Sequence, residues 1–408
     1  MPETERRSLH VCFLVYSVAW GGMEIHTLDL ARALVRRGHR ITMIELGLPL
    51  FEARMPVSDS CMAREQFEIG EPRSIRVSVR RWLGLFRRLG ADVGVFVNGG
   101  VFTGSLSLNL AARLALRRFV AVHQIIYPPR LPRSTRRHFF GFVPGIGLWW
   151  FRHVLAVHAP LRGPQRIIAV SAAIREQLVN EYYCPAGKIV VIHNGTDPDR
   201  FQPSLALRDR SRAAWGVPVG AVVFGSVSRL QNGHKRLDVA LDLFARLCRE
   251  NPDRPMRYVL VGDGPDRRSL ELQAGAAGIA DRVVFAGATD RPREAHCGID
   301  FMLMTSRVEG LPLSLVEGMA CGCVPIAMAV GGVAEIVTDP SLGWLVPPGD
   351  QAGFLQAMRE ALETRSAERE IRSRRVREHV VARFNAAELL EKACDVVEGR
   401  PADSGPEA

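Results

Sequence analysis

The first apolar stretches of the chain follow two different periods. Residues 11–16 are a short continuous apolar run, typical of a buried parallel strand, whereas residues 23–37 repeat apolar side chains at helical spacing up to Gly38. Residues 41–45 then return to the strand pattern. A strand, a helix and a second strand in this order predict a β-α-β unit, which is how a doubly wound domain begins.

The same succession continues along the chain in two sets. Further strands are predicted at residues 92–97, 119–122 and 167–170 in the first set and at residues 221–226, 258–261 and 301–305 in the second. Residues 203–219, between the sets, are polar and contain prolines, which favours a linker. We therefore expect an α/β chain of two domains, residues 1–202 and 220–377. A helix over residues 378–399 is expected to cross back to the first domain.

Two acids lie where the strand at residues 301–305 leaves its sheet and a helix begins. Glu309 stands in a glycine-containing loop, Pro312 suits the first turn of the helix, and Glu317 lies inside it. Free N–H groups near Leu311 would face an anion such as a diphosphate. Isolated glutamates of this kind are more often solvated surface residues, so their interpretation depends on the neighbouring motifs.

A pair of cations follows the strand predicted at residues 221–226. Arg229 and Lys235 lie between this strand and a helix predicted over residues 237–249. Near a helix start, an arginine fork and a lysine point charge suit a diphosphate, although isolated loop cations are more often solvated. Only three of the 53 basic residues are lysines, so a lysine at position 235 adds to the binding interpretation.

The charge of the chain is unevenly distributed. The 408 residues carry a net charge of +10, and residues 1–200 hold 27 basic against 15 acidic side chains. Residues 73–90 mix arginines with apolar side chains and predict a basic amphipathic helix. Such a helix either covers a core with its solvated face outward or attaches to an anionic membrane surface. Aromatic residues at positions 139–151 offer an acceptor pocket or a membrane-facing segment. We expect no nucleic-acid partner.

Cysteine spacing and hydropathy indicate the compartment. The eight cysteines form no C-x-x-C pair, which fits buried thiols in a reducing environment. No leader-like segment opens the chain, and the apolar run at residues 139–151 is shorter than the ~20 residues that a membrane-spanning helix needs. The expected location is the cytoplasm, with peripheral attachment to the inner face of the cell membrane as the second option.

These motifs together resemble a known family. The segment Ser306-x-x-Glu309-Gly310, followed by Glu317-Gly318-Met319-Ala320 and Gly322-x-Val324-Pro325, resembles the E-x7-E signature of retaining glycosyltransferases of family 4. The opening segment 21–39 and the block Asn194-Gly195-x-Asp197-x-x-x-Phe201 are similar to that family too. The resemblance implies the GT-B fold, in which two Rossmann-like doubly wound domains face each other across a cleft.

The resemblance also implies roles for single residues. Glu309 would lie by the donor sugar, and Glu317 would bind the ribose hydroxyls. Arg229 and Lys235 would bind the nucleotide phosphates. His123, after the strand at residues 119–122, matches a histidine close to the sugar or the acceptor. The other residues that it implies at the nucleotide-sugar site are Gly21, Gly22, Gly310, Leu311 and Pro312.

The implied reaction transfers a sugar, with retention, from a UDP-type or GDP-type sugar to a glycan or lipid-linked acceptor of the cell envelope. No metal cofactor is expected, because two cations and a helix start would neutralise the diphosphate. Asp197-x-Asp199 is interpreted as a turn around Pro198 rather than a metal-binding D-x-D motif. Two alternatives stay open: a glycoside hydrolase that uses Glu309 and Glu317 as acid and base, and a non-catalytic nucleotide-sugar-binding protein.

Overall fold

The chain forms two compact units. The structure, a computed structural model, describes residues 7–16, 20–46, 48–55, 61–67, 75–98, 106–125 and 163–401. Unit 1 comprises the chain up to His193 together with the residues from Glu388 onward, and unit 2 comprises Asn194–Ala387. Each unit is built around one parallel sheet. The prediction of two Rossmann-like domains is therefore confirmed.

The described part of unit 1 contains a parallel sheet of seven strands. They are β1 (His10–Val15), β2 (Arg40–Glu45), β3 (Met62–Gln66), β4 (Val93–Asn98), β5 (Arg118–His123), β6 (Arg166–Ala169) and β7 (Ile189–Val191). Their order is β3-β2-β1-β4-β5-β6-β7. The strand order reverses between β1 and β4, and doubly wound sheets bind their ligands beyond the carboxyl ends of the strands at such a point.

The helices described in the first part of unit 1 cover this sheet. They are α1 (Gly22–Arg36), α2 (Ile75–Leu89), α3 (Leu106–Ala115) and α4 (Ala172–Asn180). The predicted basic helix is thus present as α2. Its apolar side chains Trp82, Leu85 and Phe86 are buried in the core of the unit, with the Trp82 ring 4.7 Å from that of Phe67.

The outward face of α2 is basic, because its arginines at positions 80, 81, 87 and 88 are exposed. The apolar side chains Trp82, Leu85 and Phe86 of α2 therefore face the core of the unit. The aromatic run at residues 139–151 lies outside the described residues. Within the described ranges, no helix has the length and apolar character needed to cross a membrane.

Unit 2 contains a six-stranded parallel sheet. The strands are β8 (Val222–Val227), β9 (Met256–Val261), β10 (Val283–Gly287), β11 (Phe301–Met304), β12 (Val324–Met328) and β13 (Trp344–Val346). Their order is β10-β9-β8-β11-β12-β13, so the reversal falls between β8 and β11. Its helices are α5 (Leu205–Ala214), α6 (Asn232–Lys235), α7 (Leu237–Glu250), α8 (Arg267–Ala276), α9 (Pro292–Gly298), α10 (Leu313–Ala320), α11 (Val333–Ile336), α12 (Gln351–Glu363) and α13 (Ser366–Arg383).

The final helix, α14 (Ala386–Glu398), returns to unit 1 from residue Glu388 onward. Arg37, which follows α1, donates hydrogen bonds to Asp395 (2.8 Å) and to Glu398 (3.0 Å). The ring nitrogen Nε2 of His39 lies 2.9 Å from the same Glu398 carboxylate. A nearly buried arginine thus fastens the end of the chain to the first unit.

The boundaries differ from those predicted. Residues 203–219 were expected to be a linker, but they contain α5 and belong to unit 2. Arg208 and Arg212 of α5 form ion pairs with the buried Asp300 at 2.7 and 2.6 Å. Composition alone indicates a linker here, since the segment is polar. Its arginines are in fact paired with a carboxylate far away in the sequence, which composition does not reveal. The chain passes from one unit to the other at 193/194 and 387/388 instead of at 202 and 377.

Candidate functional site

The predicted phosphate-binding cations follow β8, beside the reversal of the unit 2 sheet. Arg229 is exposed in the loop after β8, and no carboxylate of the described residues lies within ion-pair distance of it. Lys235 is the last residue of the short helix α6, rather than a loop residue as predicted. Arg236, in the left-handed conformation with φ of 50°, separates α6 from α7.

Two glycines after β9 hold the loop that carries Arg229. A Cβ on Gly262 would come closer than 3.0 Å to the carbonyl oxygen of Ser228, and one on Gly264 would come as close to that of Leu230. The N–H of Leu230 also donates to the carbonyl oxygen of Asp263 at 3.0 Å. Since only glycine allows this approach, the two loops pack closely against each other. The backbone that carries Arg229 is therefore held in place.

Lys235 and Glu309 form a direct ion pair. Lys235 Nζ donates to Glu309 Oε1 at 2.7 Å, and the carboxylate is nearly buried, with 7% of the Glu309 side chain exposed. Thr305, after β11, donates from Oγ1 to the carbonyl oxygens of Lys235 and Arg236 at 3.1 and 2.8 Å. The structure therefore joins a cation predicted to bind phosphate to the acid predicted to lie by the sugar.

His234 lies among these charges. Burial lowers the pKa of its imidazole, the charges of Lys235 and Arg229 lower it further, and Glu309 opposes them. The ring is therefore neutral at neutral pH. Arg229 and Lys235 then contribute two positive charges against the one negative charge of Glu309, which leaves a local positive charge suited to an anion.

The loop that carries Glu309 rests on a second glycine turn. Gly331 has φ of +53°, and a Cβ there would come closer than 3.0 Å to the carbonyl oxygen of Glu309. The N–H of Gly332 donates to the carbonyl oxygen of Gly310 at 2.7 Å, and Asn194 Nδ2 donates to that of Leu311 at 3.2 Å. These contacts hold the backbone of residues 309–311 in one conformation.

Helix α10 begins beside this loop, one residue later than predicted. Pro312 is its N-cap residue, with ψ of 109°, and Leu313 is the first helical residue. The prediction that Pro312 lies in the first turn was wrong, because its ψ angle is extended rather than helical. The N–H groups of Leu313 and Ser314 belong to the first turn and have no acceptor inside the helix.

Glu317 lies in the middle of α10, and 13% of its side chain is exposed. Its Oε2 lies 3.7 Å from Nε2 of His296, a fully buried residue of α9. Sequence reasoning missed His296. Its position in α9, four residues before Asp300 and the β11 strand, carries no motif, and only the packing of α9 against α10 brings it to Glu317.

The candidates of unit 1 lie at the ends of its elements. Gly21 is the N-cap of α1 and Gly22 its first residue. His123 ends β5, is almost completely buried, and has its pKa lowered to about 4 by burial, so that it is neutral at neutral pH. A second buried pair was missed: Gln124 and His26 are hydrogen bonded, with Nε2 and Nδ1 at 3.0 Å.

Asp197 accepts three backbone hydrogen bonds from the residues that follow it. Its Oδ1 accepts from the N–H of Asp199 at 2.9 Å and from the N–H of Arg200 at 3.2 Å, and its carbonyl oxygen accepts from the N–H of Phe201 at 2.8 Å. This is a turn closed by an aspartate side chain. Among the described residues, no three His, Cys, Asp or Glu side chains are grouped as metal ligands would be.

Two family models match the chain, one in each unit. The model "Glycosyltransferase Family 4" matches residues 20–200, and "Glycosyl transferases group 1" matches residues 208–379. The solved structure of Anabaena Alr3699/HepE in complex with UDP-glucose is similar in fold, with a TM-score of 0.73 and 20% identity. That likeness covers 96% of this chain and 100% of that one.

The chain is also similar in sequence to two curated glycosyltransferases. The chain is 25% identical over 361 residues to a 2-deoxystreptamine glucosyltransferase of Streptomyces kanamyceticus, which covers 84% of this chain and 89% of the relative. It is 33% identical over 226 residues to a D-inositol 3-phosphate glycosyltransferase of Geodermatophilus obscurus, covering 53% and 49%. The chain thus spans about half the length of the second relative.

The two parallel sheets and the similarity to solved structures define the GT-B fold. The family models cover both units. The chain belongs to glycosyltransferase family 4 and is a transferase enzyme.

Proposed function

We propose that this enzyme transfers a sugar from a nucleoside diphosphate sugar to a hydroxyl of its acceptor, with retention of the anomeric configuration. The observation that carries the proposal is the ion pair of Lys235 and Glu309 beside Arg229 and the start of α10. These groups belong to one unit and offer cations and N–H groups for a diphosphate next to an acid for a sugar. The UDP-glucose bound by the Anabaena neighbour supports a donor of this class.

In this proposal, the bond between the anomeric carbon and the diphosphate oxygen breaks, and its electron pair leaves with the diphosphate. The acceptor hydroxyl oxygen forms a bond to the same carbon, and its proton passes to the leaving diphosphate. Arg229 and Lys235 stabilise the negative charge that develops on the leaving diphosphate, with the N–H groups near Leu311 assisting. Removing one such contact typically costs about 2–4 kcal/mol of transition-state stabilisation. Lys235 contacts the phosphate while it is paired with Glu309, which lies by the donor sugar.

The remaining candidates of each unit also have proposed roles. Glu317 binds the ribose hydroxyls, and the backbone of Gly310 and Pro312 lines the nucleotide-sugar. In unit 1, Gly21 and Gly22 are proposed to contact ligand through the backbone at the start of α1. His123 is proposed to act as a neutral hydrogen-bonding group near the sugar or acceptor, since burial keeps its imidazole uncharged.

For the acceptor, we propose a glycan or lipid-linked molecule of the cell envelope. The exposed basic face of α2 supports this choice, because it would bring the enzyme to an anionic lipid surface at the inner face of the cell membrane. A soluble cyclitol is the second candidate, since the two relatives described above are named for 2-deoxystreptamine and D-inositol 3-phosphate.

A donor panel tests the proposal. UDP-sugars and GDP-sugars are screened for protection against thermal unfolding and for slow hydrolysis, and the donor so found is offered to lipid-linked, glycan and cyclitol acceptors. We expect stabilisation by one nucleotide class and transfer to one acceptor class. Hydrolysis of a simple glycoside without a nucleotide would favour a glycosidase. Donor binding without turnover on any acceptor would favour a non-catalytic binding protein.

Transfer is expected to continue in the presence of EDTA. In the proposal, Arg229, Lys235 and the start of α10 supply the positive charge that a metal ion would otherwise bring to the diphosphate. The measurement compares initial rates before and after chelation and after adding back magnesium or manganese. Activity that disappears with EDTA and returns with either metal would contradict this part of the proposal.

A further inference from the structure

His296 is a buried histidine of unit 2 to which no role has been given so far. It lies in α9, and its side chain is fully buried. Within the described part of the chain, neither of its ring nitrogens has a hydrogen-bond partner. Buried polar groups in native proteins are nearly always paired, so an imidazole in this state needs an explanation.

The carboxylate of Glu317 faces this imidazole. Nε2 of His296 lies 3.7 Å from Oε2 of Glu317. An N–H···O hydrogen bond requires about 3.2 Å or less, so the two atoms lie near each other without being hydrogen bonded. A movement of less than about 1 Å would close the bond. Across the described residues, no side chain is hydrogen bonded to the Glu317 carboxylate, and the imidazole of His296 is its near neighbour.

The neighbouring residues are shaped around the imidazole. A Cβ on Gly318 would lie 2.7 Å from Met302 Sδ and 3.2 Å from His296 Nδ1, so the glycine leaves room for both side chains. The ring of Phe201 packs against that of His296 with centroids 6.4 Å apart. Cys323 Sγ donates to the carbonyl oxygen of His296 at 3.0 Å. Ring and backbone of His296 are therefore both held in place.

We propose that His296 is a positioning residue for Glu317 in the donor site. The inference rests on the proposed function, in which Glu317 accepts hydrogen bonds from the ribose hydroxyls. When the nucleotide binds, the Nε2–H of His296 donates to Oε2 of Glu317 and leaves Oε1 directed at the ribose. A hydrogen bond from the imidazole to the charged carboxylate then fixes the orientation of Glu317 toward the ribose.

The test measures how strongly position 296 is coupled to the ribose hydroxyls. UDP and 2′,3′-dideoxy-UDP, and the corresponding GDP pair, are titrated calorimetrically into the wild type, His296→Phe and His296→Gln. Phenylalanine fills the space without a donor, whereas glutamine keeps an N–H near the position of Nε2. We expect the wild type to favour the ribonucleotide roughly tenfold or more. His296→Phe should lose most of this preference, and His296→Gln should keep most of it.

His379→Phe is the matched control. His379, on α13, is a half-buried histidine whose Nε2, like that of His296, has no hydrogen-bond partner among the described residues. Replacing it should leave the ribose preference unchanged. Circular dichroism verifies folding, and His296→Leu replaces the phenylalanine variant if that one does not fold. A folded apolar variant that keeps the full preference, or loses affinity for both nucleotides equally, overturns the inference. If the wild type binds neither UDP nor GDP, the inference and the proposed function fall together.

Discussion

Lys235 has a structural contact in addition to its proposed role in binding phosphate. Its ammonium is the counter-ion of Glu309, whose side chain is only 7% exposed. Removing one partner of a buried ion pair leaves an uncompensated charge and typically costs about 3–5 kcal/mol. Arg229, in contrast, is exposed and has no ion-pair partner in the described ranges. Substitution should therefore affect the two cations differently.

Replacing Arg229 by alanine should lower kcat/KM by the equivalent of about 2–4 kcal/mol of transition-state stabilisation and change the free energy of unfolding by less than about 0.5 kcal/mol. Lys235→Ala should lose similar activity and also stability, because Glu309 loses its counter-ion. Steady-state kinetics with the donor found in the panel and thermal unfolding measure both effects. Arg246→Ala, at an exposed position of α7, is the control. Near wild-type turnover in either variant would remove the phosphate-binding assignment.

At the scale of elements, the proposed donor site depends on loops that approach each other more closely than side chains permit. The turn after β12 reaches the carbonyl oxygen of Glu309 through Gly331, and the turn after β9 reaches the loop of Arg229 through Gly262 and Gly264. The site is thus assembled from neighbouring strand ends, and its geometry depends on glycine at these contacts.

Gly331→Ala should disturb the Glu309 loop and reduce both stability and activity. The added Cβ meets the Glu309 carbonyl, and φ of +53° disfavours alanine as well. Gly349→Ala separates the two effects, because Gly349 also has positive φ, +82°, but nothing lies within 4 Å of the added Cβ. The control should cost about 1 kcal/mol in chemical unfolding and keep activity. Equal losses in the two variants would show that the loop contact is unimportant.

At the scale of the whole molecule, the carboxylate of Glu398 joins α14 to Arg37 and His39 of unit 1. Burial raises the pKa of Glu398, but hydrogen bonds from His39 and Arg37 outweigh it and hold the pKa below its ordinary value of 4.5. An acid with a lowered pKa in the folded state stabilises the fold above its unfolded pKa. This contribution disappears as the pH falls through the lower, folded value.

The wild type should therefore lose stability as the pH falls below about 4.5, and Arg37→Met should lose less over the same range. The reason is that the variant already lacks part of the charged cluster at neutral pH. Chemical unfolding at a series of pH values measures the effect. Arg36→Met, which removes an exposed arginine from the same helix end, should follow the wild type. Parallel acid limbs for Arg37→Met and the wild type would refute the assignment.

Membrane attachment, if the acceptor is lipid-linked, should be purely electrostatic at α2. Because Trp82 and Phe86 are buried, we expect the exposed arginines to contact lipid, each contributing about 1 kcal/mol near an anionic surface. We expect sedimentation with anionic liposomes at low salt and release at high salt. Replacing Arg80, Arg81, Arg87 and Arg88 by glutamine should weaken binding. Replacing Arg246, Arg268, Arg374 and Arg375 in the same way should not. Wild type that stays unbound at low salt would favour a soluble acceptor.

The sequence by itself determined most of the order of strands and helices and the presence of two doubly wound domains, and it indicated the residues of the proposed phosphate-binding segment. These features are local: an apolar run, a helical period, a glycine or a cation at a strand end can be recognised within a few residues. The family motifs at Glu309 and Glu317 are also short segments. They were therefore visible without coordinates.

Tertiary structure alone decided which of these groups touch. It paired Lys235 with Glu309 across 74 positions, placed His296 under Glu317, assigned α5 to unit 2 through Asp300, and turned the apolar face of α2 inward. Contacts between residues far apart in sequence depend on how whole elements pack, and no local pattern encodes that packing. A polar helix looks like a linker and an amphipathic one like a membrane surface until the core and the carboxylates that they meet are known.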